Sequence, residues 1–153
     1  MTRFRIHLAA VAVVLLAAGG ALAAGGLDST PEETGPYADG LRAADDGNWE
    51  RAIGLFTEAV EEEPESADAW NMLAYSQRMS GDIESAFANY QKALAIDPDH
   101  KDAHEYIGEA YLQIGDVAGA EKHLEALDDI CWLGCEQLEE LREAIEQYKA
   151  EAG

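Results

Sequence analysis

Basic residues are scarce in this sequence. Its 153 residues include 10 Lys and Arg against 31 Asp and Glu, which gives a formal net charge of −21 at pH 7. A field of this sign repels nucleic-acid phosphates and anionic lipid surfaces, so the composition argues against both classes of partner. It favours a basic or neutral protein partner, although a solvated acidic surface explains the charge equally well.

The sequence also lacks the local motifs that carry catalysis or bind phosphate. No serine lies in a Gly-x-Ser-x-Gly elbow, and there is no glycine-rich phosphate loop. Acidic pairs are abundant, but in so acidic a chain their spacing carries no information about catalytic carboxylates. We therefore expect a protein that is not an enzyme and that needs no cofactor.

Cysteine is limited to two residues, Cys131 and Cys135. Neither the Cys-x-x-Cys spacing of thiol-redox sites nor a Cys-x-x-Cys-His haem motif is present. Side chains four residues apart on an unbroken helix are poorly placed for a bridge, but Gly134 allows the chain to turn and bring the sulfur atoms together. A structural disulfide is the favoured interpretation, and a redox-active pair or a soft-metal site is the alternative.

No apolar run is long enough to span a bilayer. The longest, Leu8–Ala18, falls well short of the ~20 residues that a membrane helix needs. It follows Arg3 and Arg5 and precedes a Gly-Gly break and a small-x-small triplet ending at Ala23, which is typical of a secretory signal peptide. We expect residues 1–23 to be removed and the mature chain to be exported across the inner membrane without membrane insertion. A bacterial periplasm is favoured over a eukaryotic lumen.

The segment after the predicted signal peptide is poor in large apolar residues. Residues 24–36 contain Gly, Pro and acidic residues, with Leu27 as the one large aliphatic side chain. This composition predicts a disordered linker, with ordered structure beginning near Tyr37.

In an oxidising compartment beyond the inner membrane, a disulfide between the two cysteines would persist.

A 34-residue internal repeat is the strongest pattern in the sequence. This period is the mark of a two-helix solenoid unit. A glycine column predicts turns of positive φ between paired helices, small-residue columns predict close helix approach, and prolines end the second helices. The column of large residues is expected to fill the gap between neighbouring helix pairs. The columns are Gly47, Gly81 and Gly115; Ala52, Ala86 and Ala120; Gly40, Ala74 and Gly108; Phe56, Tyr90 and Leu124; Pro64 and Pro98.

These columns resemble the tetratricopeptide repeat family, most closely in the middle repeat, whereas Trp132 replaces the closing proline of the third. The resemblance implies an all-α fold: a right-handed α-solenoid of three helix-turn-helix repeats plus a C-terminal capping helix. The domain would span residues 37–150, with repeats at about 33–66, 67–100 and 101–130. The matching residues of the middle repeat are Trp70, Leu73, Ala74, Gly81, Ala86, Tyr90, Ala93 and Pro98. The expected helices are Pro36–Asp46, Trp49–Glu62, Ala67–Met79, Ile83–Ile96, Lys101–Ile114, Val117–Ile130 and Glu136–Lys149.

The capping helix is predicted from the last amphipathic segment, residues 136–149. One apolar stripe runs along it and its other face is charged, as the exposed end of a solenoid requires. The residues of the stripe are Leu138, Leu141, Ile145 and Tyr148.

Two histidines, His100 and His104, lie four residues apart beside several aspartates. Together these side chains could form a metal site at a helix start. The same residues equally supply a helix cap and dipole partners, and His104 stands in the column of Trp70, which indicates packing. No metal is therefore predicted, and these histidines belong only to the metal alternative.

In arrays of this family the first helix of each pair lines a concave groove. The resemblance thus implies a partner-binding groove made of Tyr37, Leu41, Asn71, Tyr75, Arg78, Met79, Glu105, Glu109 and Leu112. Some family members hold a partner's C-terminal carboxylate with Lys, Arg and Asn, but acidic residues occupy the positions where more basic ones would help. An extended segment that carries Lys or Arg, with an apolar anchor, fits better.

The function indicated by these patterns is that of an extracytoplasmic scaffold or adaptor that holds a peptide or helix of a partner protein. The alternative is a periplasmic metal or thiol-redox accessory protein that uses Cys131 and Cys135. The sequence leaves the oligomeric state open.

Overall fold

The computed structural model describes residues 34–152. The predicted signal peptide, residues 1–23, and residues 24–33 of the predicted linker lie outside the described residues. The described part contains seven α-helices and no strand. They are α1 (Pro36–Asp45), α2 (Trp49–Glu62), α3 (Ala67–Ser80), α4 (Ile83–Ile96), α5 (Lys101–Gln113), α6 (Val117–Ile130) and α7 (Glu136–Ala152).

Each helix begins at the residue predicted for it. The predicted ends differ from the observed ones by one residue at most, except in α7, which continues past Lys149 to Ala152. Helix α1 begins at Pro36, the last residue assigned to the linker, because proline is well suited to the first turn of a helix.

Side chains just before the helices explain why their starts are so well defined. Five of these residues accept a hydrogen bond from the backbone N–H three positions on, which satisfies a donor that has no partner inside the helix. The capping residues are Asn48, Ser66, Asp82, His100 and Asp116.

Glycines end the first helix of each pair, as predicted. Gly47, Gly81 and Gly115 adopt φ values of 69°, 94° and 80°. Residues with a Cβ are strained in this left-handed region, so the glycine column of the repeat marks the turns where the second helix folds back.

Consecutive helices pack side by side. Helix α1 packs on α2, α3 on α4, and α5 on α6; the pairs then contact one another through α2 with α3 and α4 with α5, and α7 packs on both α5 and α6. This arrangement is an all-α solenoid of helical repeats with a final capping helix, which confirms the predicted fold class. No helix in residues 34–152 has the length and apolar character to cross a membrane.

The alanine column lies at the centre of the helix pairs. Ala52, Ala86 and Ala120 are completely buried, and so are Phe56 and Tyr90 from the large column. The third member of the large column, Leu124, is only half-buried. Leu127 and Leu141 are completely buried at this end of the core instead, because α7 rather than a further helix pair covers it.

Two glycines permit close helix contacts of different kinds. A Cβ on Gly40 would lie 2.7 Å from the Phe56 ring, so this glycine admits the second helix of its own repeat, as predicted. A Cβ on Gly108 would lie 2.5 Å from Leu141 on α7. Gly108 was expected to allow the close approach of α6, but the structure shows that it allows the close approach of the capping helix α7.

Candidate protein-binding groove

Helices α1, α3 and α5 carry the residues predicted to bind a partner. Two of these helices meet through a group of side chains that we call the Tyr75 cluster: Trp49, Tyr75, Arg78, Tyr106 and Glu109. The ring centroids of Tyr75 and Tyr106 are 4.9 Å apart, and those of Trp49 and Tyr75 are 5.8 Å apart. Both distances fall in the range of favourable aromatic pairs. The cluster therefore forms an aromatic surface to which each of the three helix pairs contributes one ring.

Arg78 lies at the centre of the Tyr75 cluster and is almost completely buried. Its guanidinium carbon is 5.3 Å from the Tyr75 ring centroid and 5.9 Å from that of Tyr106, within the range of cation–π contacts. A terminal nitrogen lies 2.7 Å from the Glu109 carboxylate. Because Glu109 neutralises it, Arg78 is poorly suited to hold a partner's carboxylate.

Asn71 is also buried, one turn before Tyr75 on α3. Among the described residues its Oδ1 atom has no hydrogen-bond partner. Burial raises the pKa of the Tyr90 phenol, while the nearby Arg78 acts in the opposite direction. Buried polar atoms without a partner are rare in folded proteins. Helix α3 thus carries an unsatisfied polar group beside the aromatic surface.

Glu105 is buried on α5, where the capping helix approaches it. Burial raises its pKa well above the usual range of a glutamate, a hydrogen bond with Glu140 of α7 adds to this, and the nearby Glu109 and Asp102 act in the same direction. Gln137 of α7 donates a hydrogen bond to Asp102 at 2.8 Å. The third repeat's part of the predicted groove is therefore bordered by α7.

The other predicted residues lie in three places. Tyr37 and Leu41 are half-buried and pack on the N-terminal core, with the Tyr37 ring 5.8 Å from that of Phe56. Leu112 is buried in the C-terminal core with residues of α6 and α7. Met79, at the end of α3, is exposed. The structure thus brings Tyr75, Arg78 and Glu109 into one cluster and places the other predicted residues outside it. Their contact with a partner stays a prediction.

Two further residues of the Tyr75 cluster, Trp49 and Tyr106, were not predicted from the sequence pattern. Trp49 begins a second helix, and the pattern assigned the groove to first helices only. Tyr106 lies on α5 but falls in the column of Met72, which was not assigned to the groove. The 34-residue register points to neither residue, because neither shares the column of Tyr75.

Comparison with known sequences identifies the repeats. Two sequence profiles described as "Tetratricopeptide repeat" match this chain, one over residues 37–100 and the other over residues 77–130. Together they span more than half of the chain. It belongs to the tetratricopeptide repeat family. The three helix pairs of this tetratricopeptide repeat protein are therefore its repeats, and α7 follows the third.

This chain spans only a small part of the length of the sequence relatives that it matches. The "TPR repeat-containing thioredoxin TTL4" of Arabidopsis thaliana is 30% identical over 78 residues, which are 51% of this chain and 11% of the relative. Among solved structures, the "TPR2B-domain:pHsp70-complex of yeast Sti1" superposes with a TM-score of 0.69 at 20% identity, covering 76% of this chain and 94% of that one. PcrH, in complex with the chaperone binding region of PopD, superposes with a TM-score of 0.68 at 20% identity, covering 77% and 91%.

The histidines of the third tetratricopeptide repeat form a hydrogen-bonded group between α5 and α6. His104 Nε2 lies 2.9 Å from the Pro98 carbonyl, and since a carbonyl only accepts, this nitrogen donates. In neutral His104 the other nitrogen, Nδ1, then accepts from His123 Nδ1 at 3.0 Å. Burial, with His104 and then Lys122 nearby, lowers the pKa of His123 to about 4. His104 is thus a packed residue, as predicted.

His100 has a structural role at the start of the third repeat. Its Nδ1 accepts from the Ala103 backbone N–H at 3.2 Å, so in the neutral ring Nε2 donates to Asp68 on α3 at 3.1 Å. The residue therefore caps α5 and links it to the preceding repeat. Within residues 34–152, no three His, Cys, Asp or Glu side chains are grouped so that they could hold a metal ion.

The two cysteines lie at the ends of the loop that joins the third repeat to α7. Their Cα atoms are 5.6 Å apart and their sulfur atoms are at bonding distance. The Cys131 N–H donates to the Leu127 carbonyl at 2.8 Å, which extends the hydrogen bonding of α6. Gly134 adopts a φ of 87°, so the chain turns at the residue that the sequence indicated. This geometry is what a disulfide between them requires.

Proposed function

We propose that this protein is a binding scaffold that holds a segment of another protein against the Tyr75 cluster. The observation that carries this proposal is the cluster itself: an aromatic surface made of Tyr75 and Tyr106 on first helices and Trp49 on a second helix. Tyr75 is half-buried and Met79, at the end of α3, is exposed. Aromatic side chains held in place give contact area without a large loss of conformational entropy. Two of the structural neighbours were solved in complexes, the Sti1 domain with pHsp70 and PcrH with the chaperone binding region of PopD, which supports the same role here.

The bound segment is expected to be basic and to carry an apolar side chain. Asp68 on α3 is exposed, and Glu109 keeps part of its carboxylate accessible while it pairs with Arg78. The net charge of −21 favours the approach of Lys and Arg over that of acidic side chains. The apolar side chain would pack on Tyr75 and Met79, and polar atoms of the segment could satisfy Asn71 Oδ1. The pairing of Arg78 with Glu109 argues against a carboxylate clamp.

The setting proposed for this scaffold is outside the cytoplasm, most simply a bacterial periplasm. Support comes from the N-terminal pattern of Arg3, Arg5 and the Leu8–Ala18 apolar run, and from the cysteine pair, which we propose to be a structural disulfide. Mass spectrometry of the protein purified from its host tests both points. An N-terminus after Ala23 and no free thiol are expected. An intact N-terminus with two free thiols would contradict this setting.

Selection of peptides against the purified protein tests the binding proposal. A displayed library of random peptides should yield binders that combine Lys or Arg with a large apolar residue. Exchange of Tyr75 for Ala should weaken those binders at least tenfold. Tyr111→Ala is the matched control, because Tyr111 is also half-buried on a first helix but packs on Phe87 and His123 instead. Equal binding to both variants, or selection of acidic peptides, would contradict the proposal. We propose no catalytic role for the chain.

A further inference from the structure

Trp132 and Leu133 form an exposed apolar pair in the loop between α6 and α7. Their exposed fractions are 81% and 80%, against 41% for Met79 and 55% for Ile114, the other large apolar residues that stand exposed in the described part of the chain. Two adjacent apolar side chains exposed to this extent bury almost nothing on folding. The stability of the domain therefore does not explain why these residue types are present.

The loop holds this pair in a fixed position. Cys131, at its first position, is buried, and Cys135 lies close to it, with 5.6 Å between the Cα atoms. The Gly134 N–H donates to the Cys131 carbonyl at 2.6 Å, which closes a tight turn that contains the two residues. A loop that is already ordered loses little conformational entropy when it binds. Tryptophan is also among the residues that contribute most energy at protein interfaces.

Exposed acidic residues flank the pair in the sequence, at the ends of the two helices that the loop joins. Asp128 and Asp129 lie in the last turn of α6, and Glu136 and Glu139 in the first turn of α7. Glutamates at a helix start are favoured by the helix dipole, but aspartates at a helix end are opposed by it, and α6 has no basic residue in its last turn. Helix stability thus accounts for Glu136 and Glu139 and does not account for Asp128 and Asp129.

We infer that Trp132 and Leu133 form a second docking surface, separate from the Tyr75 cluster, for a protein that presents an apolar pocket rimmed by Lys or Arg. Charge decides between the occupants. An anionic lipid surface would be repelled by the acidic residues around the loop, and a second copy of the chain would bring the same acidic residues against each other. Arg142 pairs with Glu139 at 2.6 Å and approaches Asp128 to 3.9 Å, so it offsets only part of this charge. A basic rim complements the rest.

Photo-crosslinking from position 132 tests this inference. The photoreactive residue benzoylphenylalanine replaces Trp132 in the full chain, which is produced in its native host and irradiated. Ile114 is the matched control position, because it is also an exposed apolar residue but lies at the turn between α5 and α6. We expect one protein to be crosslinked from position 132 and not from position 114. Crosslinks to lipid, to a second copy of the chain or to nothing would each overturn the inference.

The affinity of the purified chain for the crosslinked protein then tests the chemistry. Trp132→Ala should weaken binding at least tenfold, and the double exchange Asp128→Asn with Asp129→Asn should weaken it and flatten its salt dependence. Tyr75→Ala should leave this affinity unchanged, so a failure of the proposed groove and a failure of this surface are distinguishable. Circular dichroism checks that each variant is folded. Unchanged affinity of the Trp132 variant would overturn the inference.

Discussion

The guanidinium of Arg78 lies 2.7 Å from the carboxylate of Glu109 and joins the middle repeat to the third. Arg78 is buried beneath two tyrosine rings, whereas Glu109 keeps part of its side chain in solvent. A buried cation needs a partner of opposite charge, because its desolvation is otherwise uncompensated. This ion pair therefore fixes how the aromatic surface of α3 meets α5.

Removal of the anionic partner should leave Arg78 as an unpaired buried charge. Glu109→Gln is expected to lower the free energy of unfolding by about 2–4 kcal/mol, less than for a fully buried pair because Glu109 is partly exposed. The double variant Arg78→Met with Glu109→Leu removes both charges and should recover most of the loss. Urea unfolding of the single and double variants measures both effects. A double variant less stable than Glu109→Gln would show that the ion pair itself is stabilising.

The packing of the capping helix α7 on α5 can be tested at Gly108. A methyl group there would meet Leu141 at 2.5 Å, so Gly108→Ala should displace α7 and lower the free energy of unfolding by ~1–3 kcal/mol. Gly54→Ala is the matched control, since Gly54 lies within α2 with no neighbour near its missing Cβ. The control should be stabilised by up to ~1 kcal/mol, because alanine is the better helix former. Thermal unfolding of both variants gives the comparison, and equal behaviour would contradict the contact.

The turn of the middle repeat can be tested at Gly81, whose φ is 94°. A β-branched side chain is strongly disfavoured at positive φ, so Gly81→Val should destabilise the domain by at least ~1–2 kcal/mol. There is open space around the missing Cβ, so the loss would come from the backbone and not from a clash. Unchanged thermal melting would mean that the turn does not need a glycine.

Acid should weaken the contact between α5 and α6 through His123. The pKa of His123 is lowered to about 4 from an ordinary value of 6.5, so its folded form favours the neutral ring. Its contribution to stability is therefore present above pH 6.5 and is lost as the pH falls toward 4. In His123→Asn an amide can still donate to His104 but does not titrate. The melting temperature of this variant should fall less than that of the wild type over this interval; parallel curves would rule out the assignment.

A rise in pH should weaken the contact between α5 and α7 through Glu105, whereas His123 acts when the pH falls. Its pKa is raised by burial and by Glu140, so the protonated carboxyl stabilises the fold at low pH and this contribution is lost as the pH rises through the raised value. Glu105→Gln keeps a donor for Glu140 without the charge. It should raise the melting temperature at pH 8 and have little effect near pH 4. Glu143→Gln, on the exposed side of α7, is the control and should have little effect at either pH.

Much of the fold follows from the 34-residue register. The glycines at positions 47, 81 and 115 predicted the turns, and the buried column of Ala52, Ala86 and Ala120 predicted where paired helices meet. These features are local or recur at a fixed interval, so a single sequence reveals them.

The site was less predictable because its contacts join different columns and lie outside the register. Arg78 pairs with Glu109, although Glu109 falls in the repeat column of Tyr75 and not in that of Arg78. Glu140 belongs to α7, which has no counterpart in the repeats, so its contact with Glu105 could not be inferred from the pattern. The position of such pairs depends on how the helices pack, and that packing is determined by the whole core.

The proposed function requires that a partner segment binds on the Tyr75 cluster. The direct measurement is NMR titration of the isotope-labelled chain with the strongest basic peptide from the selection. We expect the chemical-shift changes to concentrate at Tyr75, Met79, Tyr106 and Glu109 on α3 and α5. Shifts confined to α4 and α6, with those four residues unchanged at saturation, would contradict it.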